Sequence, residues 1–403
     1  MNSIQTQVSR PTTAGAARRE NVDPNSSFVL SNALVVLAEG IARLSIEVRR
    51  GLIHRIGARL NTSLRQIDCD GDYLLPGLIE LHTDNFERHR IPRLGAHWHA
   101  QRAVLSHDAE LASAGITTAF DSVTLGADLN TDAHDESYLE EIVATFSAQR
   151  AGLLRVDHQL HLRCELSSPR MREQLLRACQ VRSPRIVSLM DHTPGQGQWT
   201  DLVRFRSHYQ ARYGMTTEQL DALVGRRQRA RATFAADNRQ FAAAVATEHG
   251  AVIASHDDCN AVSIADAHKD GCQIAEFPTS LQAATEAAAR GMHVVAGAPN
   301  LIRNGSHSGN VAVSELVNAG ACHILSSDYF PASLLQGAFL LTSEFHHPLP
   351  RAIASVSEIP ARVLGLHDRG RIEEGRRADL VRVRNSAHGP VVIATWCSGR
   401  QVA

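Results

Sequence analysis

The chain contains eight short apolar runs, each ending on polar residues capable of chemistry. In chain order these runs are LIELHTD, GITTAFDSV, HQLHLRCE, IVSLMDH, AVIASHDD, QIAEFPTS, HVVAGAPN and HILSSDY. Helical stretches separate them, and about eight strand–helix units are typical of a (β/α)8 barrel of the TIM type, which takes roughly 250 residues. We therefore predict an α/β barrel over residues 75–365, with a doubly wound parallel sheet as the alternative. In a barrel all the polar strand ends meet at one face.

Both ends of the chain have a different pattern, with short alternating runs linked by tight turns. FVLSNALVV and ARLSIEVRRG lie near the start, and ADLVRVR and VVIATWCSGRQV near the end. These runs predict strands, so we expect a small β-sandwich domain built from residues 28–74 and 366–403. Residues 1–27 are rich in Ser, Thr, Ala, Arg and Asn and indicate a disordered extension.

A long insertion follows the fourth run, between His192 and Val252. Its apolar residues recur at i, i+3 and i+4 and it lacks proline, so it predicts helices. The segment GRRQRARA at its centre is dense in arginine. A solvated helix face is the first interpretation of that segment, and anion binding is the second.

Charge and cysteine content exclude several classes of function. The formal net charge is -1, so no overall field recruits nucleic acid or a membrane surface, and we expect neither as a partner. The 7 cysteines are odd in number and include no C-x-x-C pair, which argues against a disulfide framework and a cysteine zinc site. We expect a reducing compartment, and the cytoplasm is the default location. Lys269 is the single lysine, so a lysine-dependent mechanism would have to use that position.

The polar strand ends supply a set of ligands for a divalent metal. Imidazole and carboxylate groups on rigid strands suit Zn²⁺, Mn²⁺ or Fe²⁺. A lone buried histidine usually has a structural explanation, but several histidines and carboxylates at strand ends are harder to explain as packing. The candidates are His82, Asp84, Glu165, His192, His256, Asp257, Asp258 and Asp328.

The number of metal ions follows from charge. Two divalent ions need a bridging anion, because they lie roughly 3.5–4 Å apart in two-metal hydrolases. The single lysine, Lys269, falls in a helix-to-strand connection and not at a strand end, so it is a poor candidate for the bridge. Glu165 of HLRCE is the remaining candidate. One or two ions fit the residues; we expect two, with zinc first and manganese or iron as alternatives.

Asp328 of LSSDY has a separate predicted role. A carboxylate from the last strand can ligate weakly and accept a proton from metal-bound water, whose pKa is lowered to about 7. Asp328 is therefore the predicted catalytic residue. The structural alternative is that it caps the helix that follows.

A group of cations near the predicted barrel mouth indicates an anionic substrate. The loop GAPNLIRNGSHSGN offers glycines and backbone N–H groups beside two basic side chains, although a structural turn would explain it equally well. Arginines clustered in a neutral protein favour concentrated negative charge, such as a polyphosphate. The predicted substrate-binding residues are Arg88, His89, Arg163, Arg303 and His307, with Arg90 and Arg93 nearby.

Taken in order, these motifs resemble a known family. PGLIELHTDN, SHDAELASAGITTAFDS, HLHLRCEL, SLMDHTPGQGQ, ASHDD, AEFPTS, GAPNLIRNGSHSGN and LSSDYFPASLL are similar to the triphosphate diphosphatases of the carbon–phosphorus lyase pathway, within the amidohydrolase superfamily. The resemblance implies hydrolysis of α-D-ribose 1-methylphosphonate 5-triphosphate between its α and β phosphates. It also implies the metal set His82, Asp84, Glu165, His192, His256 and Asp328.

Two other classes of function remain open from the sequence. The first is an amidohydrolase that acts on a C–N bond with the same metals, such as a deacetylase or cyclic amidase; the arginine cluster argues against it. The second is a catalytically silent scaffold among phosphonate-pathway proteins, which the intact ligand set argues against. We expect a small phosphorylated sugar as substrate, association with other proteins of the pathway, and a homo-oligomer.

Overall fold

The computed structural model describes residues 27–60, 62–93, 95–126, 137–306 and 309–403. The predicted extension 1–27 lies outside the described residues except for Ser27. Within the described part of the chain, no helix has both the length and the apolar character needed to cross a bilayer.

Strands from both termini form one mixed sheet. They are β1 (Phe28–Val36), β2 (Ile41–Arg49), β3 (Leu52–Gly57), β4 (Arg65–Asp68), β5 (Tyr73–Pro76), β14 (Leu380–Ser386), β15 (Gly389–Cys397) and β16 (Arg400–Gln401). Their order is β16-β15-β14-β5-β1-β2-β3, and β4 also pairs with β1. Alternating apolar residues of these strands bury a core around Trp396, whose ring lies 6.2 Å from that of Phe28. The sheet therefore depends on residues from both ends of the sequence.

The middle of the chain forms a parallel barrel. Its strands are β6 (Leu78–Thr83), β7 (Ile116–Leu125), β8 (Asp157–Glu165), β9 (Ile186–Met190), β10 (Val252–His256), β11 (Ile274–Glu276), β12 (His293–Gly297) and β13 (Ile324–Ser326). Neighbours in sequence are neighbours in space, and a bridge between Thr83 and Asp328 brings β13 back to β6. This sequential order, without reversal, rules out the doubly wound alternative and confirms the predicted fold class.

Helices cover the outside of the barrel and border its mouth. They are α1 (Asn85–Arg90), α2 (Ala100–Ser113), α3 (Ser137–Arg150), α4 (Met171–Val181), α5 (Leu202–Tyr213), α6 (Thr217–Glu248), α7 (Ala261–Lys269), α8 (Leu281–Ala289), α9 (Ala298–Ile302), α10 (Val313–Asn318), α11 (Ser333–Ser343), α12 (Leu349–Ala354) and α13 (Glu358–Val363). A 3-10 turn spans Gly197–Trp199. The predicted helical insertion is confirmed as α5 and the 32-residue α6, which a capping box at Thr216 starts.

The barrel has two separate apolar layers. Inside it, inward-facing residues such as Leu81, Phe120 and Val295 fill the lower end. Outside it, a larger cluster joins the strands to the helices. Because the lower end is filled, the only space for a ligand among the described inner residues is at the carboxyl ends of the strands. We keep the division into residues 28–74 with 366–403 and residues 75–365 as a proposal for the two domains.

Candidate metal and substrate site

The carboxyl ends of the barrel strands line a cavity of about 780 Å³. Histidine and aspartate side chains form its floor, and they come from strands far apart in the sequence. The floor residues are His82 and Asp84 after β6, His192 after β9, His256 and Asp257 after β10, and Asp328 after β13. The structure therefore brings together the predicted metal set other than Glu165, whereas the candidate Asp258 does not line the cavity.

One group of possible ligands joins the first and last strands. Ligand atoms of His82, Asp84 and Asp328 all lie within 4.8 Å of one another. His82 Nε2 is 3.7 Å from Asp84 Oδ1. Asp84 also faces Arg163, whose Nη1 lies 2.6 and 2.8 Å from its two carboxylate oxygens. Asp84 thus lies between a position suited to a metal ion and the guanidinium group of Arg163.

A second group joins the fourth and fifth strands. It consists of His192, His256 and Asp257, again with ligand atoms within 4.8 Å. Asp257 Oδ2 lies 3.6 Å from His192 Nε2 and 3.8 Å from His256 Nε2. This oxygen is buried and lacks a hydrogen-bond partner among the described residues. Asp257 was a candidate by position, but the predicted metal set omitted it.

These distances fit a divalent cation better than direct hydrogen bonds. Spacings of 3.6–3.8 Å exceed an ordinary N–H···O bond. Ligands bound to one zinc ion at about 2.0–2.2 Å in tetrahedral directions are about 3.4 Å apart. The two groups can therefore hold a metal ion through imidazole and carboxylate donors.

Glu276 is the main site residue that the sequence analysis missed. Its Oε1 lies 3.1 Å from His82 Nδ1, and its Oε2 lies 3.2 Å from His256 Nδ1. Since a carboxylate only accepts, both rings carry their proton on Nδ1 and leave Nε2 as the ligand atom. The signal was present in QIAEFPTS, where the run ends on this carboxylate.

The environment of Glu276 keeps it ionised. Burial raises the pKa of this carboxyl, but the charge of His82 and the hydrogen bonds from His256 and His82 outweigh burial and hold the pKa well below its ordinary value. His161 is neutral, because burial lowers its pKa to about 4. Its Nε2 lies 2.6 Å from the hydroxyl of Ser188, which also donates to Glu276. The group of His82, His161 and Glu276 is therefore a hydrogen-bonded support beneath the cavity.

Glu165 lies beside His192 rather than between the two groups. Its Oε2 is 2.9 Å from His192 Nδ1, and its Oε1 accepts a hydrogen bond of 2.8 Å from Ser167. Burial lowers the pKa of His192, but Asp257 and Glu165 outweigh burial and raise it to about 9. In this arrangement Glu165 orients the ring of His192, and its role as a metal bridge stays a prediction.

Asp328 occupies a special backbone position. Its φ is +55°, in the left-handed region that costs a non-glycine residue energy. Burial and the nearby charge of Asp84 raise the pKa of its carboxyl to about 7. The next helix starts at Ser333 with Ala332 as its N-cap, so the capping alternative for Asp328 was wrong.

The predicted substrate residues separate into three cases. Arg88, Arg163 and Arg303 line the cavity, and their contact with a substrate stays a prediction. His89 does not line it; its Nε2 lies 2.7 Å from Glu110, so the geometry argues against a substrate contact. His307 lies outside the described residues. Arg90 bonds the carbonyl of Trp98 and pairs with Glu140, which explains it without a substrate.

Two sequence comparisons identify relatives of this chain. Residues 210–402 match the Amidohydrolase family. The chain is 39% identical over 378 residues to the α-D-ribose 1-methylphosphonate 5-triphosphate diphosphatase of Escherichia coli K12, covering 93% of this chain and 100% of that protein.

Two solved structures show the same fold at low sequence identity. One is the N-isopropylammelide isopropylaminohydrolase of Burkholderia multivorans ATCC 17616 (TM-score 0.61, 19% identity, 93% of this chain and 97% of that one). The other is the N-acetylglucosamine-6-phosphate deacetylase of Pasteurella multocida (TM-score 0.59, 12% identity, 93% and 99%). Both likenesses concern the fold alone.

Proposed function

Since this chain belongs to the family of the α-D-ribose 1-methylphosphonate 5-triphosphate diphosphatases, within the amidohydrolases, we propose that it hydrolyses that triphosphate between its α and β phosphates. The products are the ribosyl methylphosphonate 5-phosphate and pyrophosphate. The observation that carries the proposal is that the histidines and aspartates of both groups line one cavity together with three arginines. A polyphosphate needs both features, because metals and cations offset the charge that develops on it.

We assign the metal positions to two groups of ligands. His82, Asp84 and Asp328 would hold one ion, and His192, His256 and Asp257 a second, with zinc as the first choice. A divalent ion bound there supplies a Lewis acid for phosphoryl oxygens and lowers the pKa of water. The buried oxygen of Asp257 supports a second ion, because burying a carboxylate oxygen without a partner is costly.

Asp328 is placed to accept a proton during the reaction. Asp328 shares the cavity floor with the ligands His82 and Asp84, so its carboxylate would lie within reach of a water molecule that an ion held there had made acidic. Asp84 N donates to Asp328 O at 3.0 Å, so the two acidic residues are fixed relative to each other. The proton acceptor therefore lies on the floor of the cavity.

The arginines have a different task. Arg88 and Arg303 extend from α1 and from the end of α9, so they reach the cavity from separate elements. Both guanidinium groups are suited to the oxygens of the leaving pyrophosphate, and Arg88 can contact them while its Nη2 stays 3.2 Å from Glu110 Oε1. Arg163 is held by Asp84 and keeps the charge of the floor balanced.

Location and assembly remain part of the proposal. All seven cysteines are free thiols, which supports a reducing compartment such as the cytoplasm. A homo-oligomer and association with other phosphonate-pathway proteins are proposed from the family resemblance.

The test is product release from a defined substrate by the zinc-loaded enzyme. We expect pyrophosphate from the ribosyl phosphonate triphosphate, with much slower turnover of N-acyl and cyclic amide compounds. The Asp328→Asn variant should bind the substrate but lose about 10²–10⁴-fold in kcat. Turnover of amides without any release of pyrophosphate would refute the proposed reaction, and full activity of Asp328→Asn would refute the role of that residue.

A further inference from the structure

The barrel closes at the site with few hydrogen bonds between its first and last strands. β6 and β13 share an isolated bridge at Thr83 and Asp328, next to the bond from Asp84 N to Asp328 O. At the lower end both strands bond to a later segment instead: Ile79 N donates to Val356 O and Leu325 N to Ser355 O. The middle of this seam needs another group that accepts hydrogen bonds.

Glu80 fills that gap with its side chain. It lies two residues before His82, and it is fully buried. Its Oε2 accepts from Ser327 N at 2.6 Å. Ser326 Oγ lies 2.7 Å from Glu80 Oε1 and 2.7 Å from the carbonyl oxygen of His82, so its one proton is shared between these two acceptors. Oε1 also accepts from His82 N at 2.8 Å. One carboxylate therefore joins the backbone that carries His82 to the backbone that carries Asp328.

A further hydrogen bond continues this connection to Asp328. Asp328 N lies 3.2 Å from Ser326 Oγ, the same hydroxyl that Glu80 holds. Asp328 has a φ of +55°, which persists only if the surrounding structure enforces it. Glu80 contacts both residues that precede Asp328: the hydroxyl group of Ser326 and the backbone N–H of Ser327.

We propose that Glu80 is a positioning residue that sets the place of Asp328 relative to His82 across the barrel seam. It is buried and does not line the cavity, so we expect it to act through Asp328 and His82. This inference rests on the proposed function only where Asp328 is taken as the proton acceptor. The connection to His82 and Asp328 is independent of the substrate.

The substitution Glu80→Gln removes one acceptor while keeping the size of the side chain. The carboxylate accepts backbone N–H groups through both oxygens, from His82 and from Ser327. An amide accepts through one oxygen only, so in either orientation one of these buried N–H groups faces an NH₂ donor. The peptide before Asp328 or the peptide of His82 must then move.

The kinetic test uses Glu80→Gln, Ser326→Ala and the double variant Glu80→Gln/Asp328→Asn. We expect kcat of the folded Glu80→Gln enzyme to fall about 10- to 100-fold, as for other residues that support metal ligands, while KM stays within about twofold. Ser326→Ala, which keeps the bond to Ser327 N, should show a smaller loss and remains informative if Glu80→Gln does not fold. The double variant should be slower than Asp328→Asn by less than the loss that Glu80→Gln causes alone, because part of the effect of Glu80 acts through Asp328 and part through His82.

A matched control is Asp379→Asn, which alters a buried carboxylate at the base of the terminal sheet that accepts a bond of 2.7 Å from Ser398 N. It should lower stability without changing kcat per folded molecule. Unchanged kcat in folded Glu80→Gln and Ser326→Ala, or losses that multiply fully in the double variant, would overturn the positioning role.

A second readout separates this inference from the proposed function. Competition with a chromophoric chelator gives the zinc affinity without any substrate, and we expect Glu80→Gln to weaken it about tenfold or more, unlike Asp379→Asn. If the wild-type enzyme released no pyrophosphate, the proposed reaction would fail while this comparison still tested Glu80. Wild-type zinc affinity in Glu80→Gln would then count against the inference.

Discussion

The substitution Glu276→Gln tests how the floor of the cavity is built. The carboxylate accepts from His82 Nδ1 with one oxygen and from His256 Nδ1 and Ser188 Oγ with the other. Glutamine keeps one accepting oxygen and presents an NH₂ group in place of the second. One imidazole must then accept at Nδ1, so its proton moves to Nε2, where it blocks a metal ligand.

The expected magnitude follows from that change of tautomer. Losing a carboxylate that orients a metal-binding histidine typically costs 10–100-fold in metal affinity, equivalent to about 1.4–2.7 kcal/mol. Glu276 orients a histidine in each of the two ligand groups. We expect the zinc affinity to fall by close to 100-fold in the group whose histidine changes tautomer. The loss should be greater for zinc affinity than for substrate affinity, since Glu276 does not line the cavity.

The assay is a competition titration of metal-free enzyme with zinc and a chelator of known affinity. Asp157→Asn is a suitable control, because Asp157 lies at the opposite end of β8 and pairs with Arg369 and Arg377. It should leave zinc affinity unchanged. Zinc binding by Glu276→Gln as tight as that of the wild type would refute the assignment of Nε2 as the ligand atom in His82 and His256.

Two further predictions concern substrate charge and pH. Arg303→Ala should raise KM for the triphosphate about tenfold, with a smaller effect on a diphosphate analogue, because it removes a cation from the cavity wall; equal losses on both would contradict this. Burial lowers the pKa of His158, but the carboxylates of Asp121 and Asp108 outweigh burial and raise it to about 10. Protonated His158 therefore adds to the free energy of unfolding. Its contribution is complete below the unfolded pKa of about 6.5 and is lost as pH rises towards 10, by at most roughly 5 kcal/mol. Urea unfolding at pH 6 and pH 9.5 should show this loss in the wild type and a smaller one in His158→Gln; equal losses would contradict it.

The sequence predicts the barrel because its strands carry a local signal. Each run pairs apolar residues with a polar end, and the barrel places all of those ends at one face, which is why His82, His192, His256 and Asp328 could be grouped without a structure. Glu276 shows the limit of this reasoning. It ends a run as the other candidates do, but its side chain bonds to the far side of the ligand rings.

Asp257 and Glu165 show the same limit: the predicted metal set omitted Asp257, which lies near two Nε2 atoms, and included Glu165, which lies beside Nδ1 of His192. Both are carboxylates at strand ends, so the sequence offers no basis for ranking them as ligands. The left-handed backbone of Asp257, with φ of +56°, is compatible with its carboxylate lying near two Nε2 atoms, whereas Glu165 meets His192 at Nδ1. Such differences arise from local backbone geometry, which residue identity does not determine.

The arginine-dense segment of the insertion lies in α6, beside the loop that carries His192. Arg231 Nε lies 2.5 Å from Asp191, and Gln228 Nε2 donates to Pro194 O at 3.3 Å. Both contacts fall on the loop that carries His192. The interpretation as a solvated face is therefore incomplete, because α6 also anchors one ligand of the second group. Helical periodicity predicts which residues share a face of α6, but the loop that this face meets is fixed only by the closed barrel.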